Sequence, residues 1–148
     1  AAVAVIMRRL RPLARVITPN IPEAEILAGC SISGEDVFDE IARKLSGNTG
    51  VSVLLKAGHL SGNSLVDYFY NAEDGTMTKL PSKRIHTRNT HGTGCTLSSA
   101  FAAALAKGED LTAAAVSAKK YIEQAIISGA DYEIGGGHGP VNHFWSMG

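Results

Sequence analysis

Apolar residues recur at helical spacing in some stretches of the chain and run together in others, and Pro, Gly, Asn and Asp stand at the switches. Ala2 to Leu10 reads as the end of a helix, which Pro12 is expected to break. Arg15 to Thr18 predicts a short strand leading into Pro19. Asn20 then opens a helix with Pro22 in its first turn, which runs to about Ala28 and stops at Gly29. A second helix is predicted over about Glu35 to Leu45, because Val37, Phe38, Ile41 and Leu45 share one face and Glu40, Arg43 and Lys44 the other. Val51 to Leu55 is a run of β-formers, as expected of a strand covered on both sides in a parallel sheet, and it ends at Lys56 before Gly58.

Val66 to Tyr70 and Met77 to Leu80 flank Asn71 to Thr76, a turn holding Asp74 and Gly75, and read as a hairpin. Arg84 to Thr87 is expected to add a strand. Asn89 to Gly94 has turn composition, and an Ala-rich helix follows from Cys95 or Thr96 to Lys107, stopped by Gly108. Asp110 caps the last helix, about Leu111 to Ser128, with Val116, Ile122, Ala125 and Ile126 near one side and Gly129 at its end. A Gly-rich tail, Gly135 to Gly139, comes next, and Phe144 and Trp145 are expected to pack the terminus down.

Strands alternating with helices predict an α/β fold, read here as one structural unit over residues 1–148 with a mostly parallel sheet flanked by helices. The strand count is low for it. Only two or three strands are available to pair Val51 to Leu55, and too few helices are expected to cover it. The chain also opens inside a helical pattern with no initiator Met, so a partial domain lacking its N-terminal part is expected.

Hydrophobic residues at 45% and charged residues at 19% over 148 positions exclude a disordered chain. Lys plus Arg equals Asp plus Glu at 14 each, which removes the electrostatic case for nucleic acid or an anionic membrane as partner. The longest apolar runs, Ala1 to Met7 and Ala100 to Ala106, fall far short of the ~20 residues of a membrane span, and a cytoplasmic location follows by default. Cys30 and Cys95 lack C-x-x-C spacing and read as free thiols.

Chemistry concentrates in Asn89-Thr90-His91-Gly92-Thr93-Gly94-Cys95-Thr96, a turn feeding a helix. Glycines at 92 and 94 let successive N–H groups point to one spot, and the helix adds its positive end, so the loop suits an anion. Cys95 on the first turn can serve there as a base or charge acceptor, against the plainer reading of a helix cap with a buried small Cys. Asn20 with Glu23 three residues on is close to a capping box, yet the same pair at a strand end can orient hydrated magnesium. Lys56 sits at the sheet edge where α/β ligands bind, or merely snorkels from a strand end. His91 and Cys95, four apart, are too few for a metal site, and His59, His86, His138 and His143 read as loop or surface residues.

The segments ITPNIPEAEILAG, VLLKAGHLSG and NTHGTGCTLSSAFAAALAKG together resemble the bacterial hydroxymethylpyrimidine/phosphomethylpyrimidine kinases of thiamine synthesis, in the ribokinase-like superfamily. The likeness covers about Leu10 to Tyr121. It implies that Gly92, Thr93, Gly94 and Cys95 form the anion hole for the transferring phosphoryl group, with Cys95 where most ribokinase-like enzymes carry a catalytic Asp. It implies that Asn20 and Glu23 match the superfamily's N-x-x-E element, which helps hold magnesium, through water at Glu23, and the phosphates of ATP. Lys56 matches a nucleotide-side lysine. The implied activity is transfer of the ATP γ-phosphoryl to the hydroxymethyl group of a small-molecule pyrimidine and then to its monophosphate, by a homodimer in the complete protein. Two rivals stand beside it: a pyridoxal/pyridoxamine kinase, usually with Asp after GTG, and a non-catalytic nucleotide-binding fragment.

Overall fold

The computed structural model describes residues 2–56 and 64–147. Gly58 and His59 lie outside them. The chain divides into two compact units, Ala1–Pro81 and Ser82–Gly148.

In the first unit, helix α1 (Ala2–Val5) passes into a π-helical turn, Ile6–Leu10, and then a 3-10 turn, Arg11–Leu13. The α- and π-helical stretch thus ends at Leu10, as expected ahead of Pro12. Pro12 stands in the first turn of the tighter helix, where its missing N–H has no partner to lose. Strand β1 is only Val16–Ile17. Helix α2 (Ile21–Ala28) begins and ends as its residues predict: Asn20 and Glu23 form a capping box, and Gly29 takes the left-handed conformation at φ 68°. Helix α3 (Phe38–Ser46) follows a 3-10 turn over Glu35–Val37 and buries Phe38, Ile41 and Leu45, while Arg43 and Lys44 stay exposed.

Strand β2 (Ser52–Leu55) pairs in parallel with β1, Val16 opposite Ser52. On its other edge β2 pairs antiparallel with β3 (Ser64–Asn71), Val53 opposite Tyr70. Strand β4 (Thr76–Lys83) completes the order β1-β2-β3-β4. The sheet is therefore mixed rather than mostly parallel, because the hairpin itself supplies half of it. The turn between β3 and β4 is held by Asp74 Oδ1, which accepts from Thr76 N at 2.9 Å and from Thr76 Oγ1 at 2.7 Å, and by Gly75 at φ 74°. The expected shortage of cover over β2 does not arise: Val51 to Leu55 are each at most 1% exposed. Apolar exposure falls instead on Val5, Ile6, Leu10 and Leu13. The core joins α2 and α3 to the sheet around Phe38, whose ring meets Tyr68 edge-on at 4.9 Å.

In the second unit, Arg84 to Thr87 forms no strand, since extended propensity alone does not make one. Helices α4 (Thr93–Ala106) and α5 (Leu111–Ser128) pack together. Asp110 caps α5 by accepting from Ala113 N at 2.8 Å. The buried stripe of α5 is Leu111, Ala114, Ala115, Ala118, Ile122 and Ala125. Val116, expected near one side with Ile122, Ala125 and Ile126, is 47% exposed, because small alanines make up most of the buried face. Of the two terminal aromatics, Trp145 packs on Tyr121 with ring centroids 5.9 Å apart, whereas Phe144 is 70% exposed and packs nothing down.

Candidate active site

The first unit brings Asn20, Glu23 and Lys56 to one place. Lys56 N donates to Pro19 O at 2.9 Å, and Asn20 and Lys56 form a parallel bridge just past β1 and β2. They stand at the C-terminal edge of the parallel pair, where ligands of α/β sheets bind. The cap is real: Asn20 Oδ1 accepts from Glu23 N at 2.8 Å, and Glu23 Oε2 accepts from Asn20 N at 2.9 Å. This is the plainer of the two sequence readings. It also holds the exposed Glu23 carboxylate in a fixed direction while leaving it further lone pairs.

In the second unit, α4 starts at Thr93, two or three residues earlier than expected, because Gly92 at φ 82° turns the chain straight into the helix. Only Gly92 needs glycine's freedom of backbone; Gly94 is an ordinary helical residue of the first turn. Thr93 N donates to Thr90 O at 3.3 Å, while Gly94 and Cys95 contribute first-turn amides that precede the helix's own ladder. Thr96 N closes the first bond, to Gly92 O at 2.9 Å, and no side chain caps the end. Such an end presents N–H groups and positive potential to an anion. Cys95 is exposed, which removes the reading of a buried structural thiol.

Cys95 also lines a cleft of about 550 Å³ with Ser99, Ala103, Tyr121 and His143 among its walls. His143, expected to be a loop or surface residue, is exposed. Its ring Nε2 lies 2.9 Å from Thr96 Oγ1, and its carbonyl accepts from the Tyr121 hydroxyl at 2.7 Å. No spacing in the sequence could have shown this, since the partners lie 47 and 22 residues away.

A family model described as phosphomethylpyrimidine kinase matches residues 1–142. The chain belongs to that family. A hydroxymethylpyrimidine/phosphomethylpyrimidine kinase of Rhizobium meliloti is 47% identical over 146 residues, 97% of this chain and 53% of that protein. The thiamine biosynthesis bifunctional protein ThiED of Geobacter sulfurreducens is 47% identical over 142 residues, 96% of this chain and 28% of that protein. The ADP complex of Bacillus subtilis pyridoxal kinase is similar at a TM-score of 0.85 and 36% identity, covering 96% of this chain and 52% of that one. The chain thus spans about half the length of the curated pyrimidine kinases it matches, and the expected ribokinase-like α/β class stands.

Within the phosphomethylpyrimidine kinase family, magnesium is the ion to test against the residues present. Among the described residues no group of three His, Cys, Asp or Glu could hold a metal. One oriented carboxylate at Glu23 is nonetheless what a hydrated magnesium ion needs when substrate phosphates supply its other ligands. The donor set fits that ion, and does not make an all-protein cage.

Proposed function

We propose that this chain is the nucleotide-handling part of an ATP-dependent hydroxymethylpyrimidine/phosphomethylpyrimidine kinase of thiamine biosynthesis. The observation that carries the reading is the uncapped start of α4 at Gly92, followed by Thr93, Gly94 and the exposed Cys95, in a chain of this family. The amides of Gly94 and Cys95 receive the transferring phosphoryl group. The hydroxymethyl oxygen bonds to the γ-phosphorus, the bond to the β,γ-bridging oxygen breaks, ADP leaves with that electron pair, and the hydroxyl proton passes to Cys95. Catalysis is then chiefly positioning and charge stabilisation. Lys56 faces the nucleotide, and Asn20 and Glu23 orient magnesium through water. Magnesium, when bound, neutralises charge on the phosphate oxygens.

Pyridoxal kinase remains the second reading on the strength of the Bacillus subtilis neighbour. Cys95 in place of Asp and the names of the sequence relatives favour the pyrimidine. The reading carries with it a cytoplasmic enzyme and a homodimer of the complete protein. No helix among the described residues is long and apolar enough to cross a membrane.

In the complete enzyme, Cys95→Ser is expected to lower kcat for hydroxymethylpyrimidine far more than it weakens ATP binding. Unchanged kcat removes Cys95 from the reaction, and faster turnover of pyridoxal than of the pyrimidine selects the second reading. The 148 residues alone are expected to bind ATP without phosphorylating the pyrimidine at the roughly 1–100 per second usual for kinases. Product formed at that rate by this chain, verified by mass, overturns the division of labour.

A further inference from the structure

Asn89 is 1% exposed, yet it is a polar side chain. Its Nδ2 donates to three backbone carbonyls of the turn that follows α5: Gly129 O at 2.8 Å, Tyr132 O at 2.8 Å and Ala130 O at 3.2 Å. The opposite orientation of the amide would set Oδ1 against three carbonyl oxygens, so the donors must point this way. Oδ1 has no hydrogen-bond partner among the described residues. It lies instead against Gly139, where a Cβ would overlap Oδ1 and come within 2.8 Å of Asn89 Cγ. Gly139 is therefore required for space.

Further bonds run between the same two segments. Thr87 Oγ1 donates to Ala130 O at 2.8 Å and accepts from Asn89 N at 3.1 Å. His91 N donates to Gly139 O at 3.0 Å. From His91 the chain passes directly into Gly92 and the uncapped first turn of α4. Gly92, with no Cβ and nothing within 4 Å of where one would stand, cannot hold that entry in place by its own packing.

The geometry points to Asn89, locked against Gly139, as the positioning residue of the phosphate loop Gly92–Cys95. This rests on the function proposed above. An anion site built from backbone amides works only as well as they are held, and a displacement of about 1 Å can cost roughly a hundredfold in rate. Asn89 touches no reacting atom; it fixes the segment that carries those amides by tying it to the end of α5 and the Gly-rich tail.

The test uses the full chain in four forms, Asn89→Ala, Gly139→Ala, the double variant, and Leu111→Ala as a cavity control in α5. Three quantities are read: amide exchange at His91 to Thr96 by NMR, ATP affinity by calorimetry, and the unfolding midpoint. Asn89→Ala is expected to speed His91 exchange at least about tenfold and weaken ATP by a similar factor. Leu111→Ala, destabilised comparably, leaves both near wild type. Gly139→Ala reproduces the loss in the wild-type background and adds nothing once Asn89 is Ala, because its clash partner has gone. Unchanged loop exchange in Asn89→Ala, equal effects from Leu111→Ala, or additivity of the two lock variants each overturn the assignment. If Asn89→Ala does not fold, Gly139→Ala carries the same prediction. If the wild type binds no ATP, the proposed function falls, while loop exchange and the double variant still decide the role of Asn89.

Discussion

Replacing Asn20 by Ala and by Asp separates the helix cap from the phosphate contact proposed for the same side chain. The cap consists of one bond from Glu23 N to Asn20 Oδ1 at 2.8 Å and one from Asn20 N to Glu23 Oε2 at 2.9 Å. Alanine removes the first. Asn20 is only half-buried, so Glu23 N passes to water and no cavity opens. The cost is that of a cap alone, about 1 kcal/mol, which at 148 residues lowers Tm by roughly 2–4 °C. Aspartate keeps the acceptor and adds a negative charge that the helix dipole favours by about 0.3–1 kcal/mol, partly offset by Glu23 close by. Its Tm should match wild type or exceed it slightly.

ATP binding then moves the other way. A new carboxylate facing the polyphosphate meets a repulsion of roughly 1–4 kcal/mol per unit charge at 4 Å, for effective dielectrics between water and a protein surface. Asn20→Asp should therefore bind ATP at least about fivefold more weakly at undiminished Tm. Scanning fluorimetry gives Tm, and calorimetry with ATP and magnesium gives Kd. Wild-type affinity in Asn20→Asp would take Asn20 away from the phosphates, and a wild-type Tm in Asn20→Ala would show that the cap stabilises nothing.

Two further outcomes follow from single residues. Burial first, and then the bond to Glu35 at 2.7 Å, push the Tyr68 hydroxyl up to about 12. Its folded value exceeds its unfolded one near 10, so this contribution is complete below about pH 10 and is lost as pH rises through 12. Urea unfolding at pH 9 and pH 11 should show a smaller loss of stability in Tyr68→Phe than in wild type, and equal losses would remove Tyr68 as the cause. Gly92→Ala and Gly29→Ala place a methyl in open space at φ 82° and φ 68°, so each should cost about 1–2 kcal/mol of backbone strain. Only Gly92→Ala should also weaken ATP binding; equal affinities in the two variants would detach Gly92 from the phosphate site.

Much of the fold was legible because it is written in local signals. Asn20 with Glu23, Gly29, Asp110, and Asp74 with Gly75 act within four residues of their own position, and the structure uses each as its chemistry predicts. Arg84 to Thr87 misled because extended propensity makes a strand only where a neighbour offers a ladder. Pro12 did not mislead: the helix over Ala2–Leu10 ends before it, and what the sequence did not show is the short 3-10 turn Arg11–Leu13 that carries it.

The candidate site divides along the same line. Gly92 to Cys95 could be found from spacing because glycine, helix start and thiol lie side by side, and only the first residue of α4 was misplaced. Asn89 could not. In sequence it is one more turn residue before a glycine, and its burial comes from carbonyls 40 to 43 residues downstream. The sequence shows Gly135 to Gly139 only as a Gly-rich tail after the last helix, yet Gly139 lacks a side chain at a point where the Asn89 amide needs the room. A local motif can thus name the groups proposed to meet a phosphate, while the bonds around Asn89 come from segments the motif never mentions. That is why a variant at Gly139, whose carbonyl accepts from His91 N beside the loop, is the sharper probe: it perturbs the support while changing none of the side chains proposed to act on the phosphate.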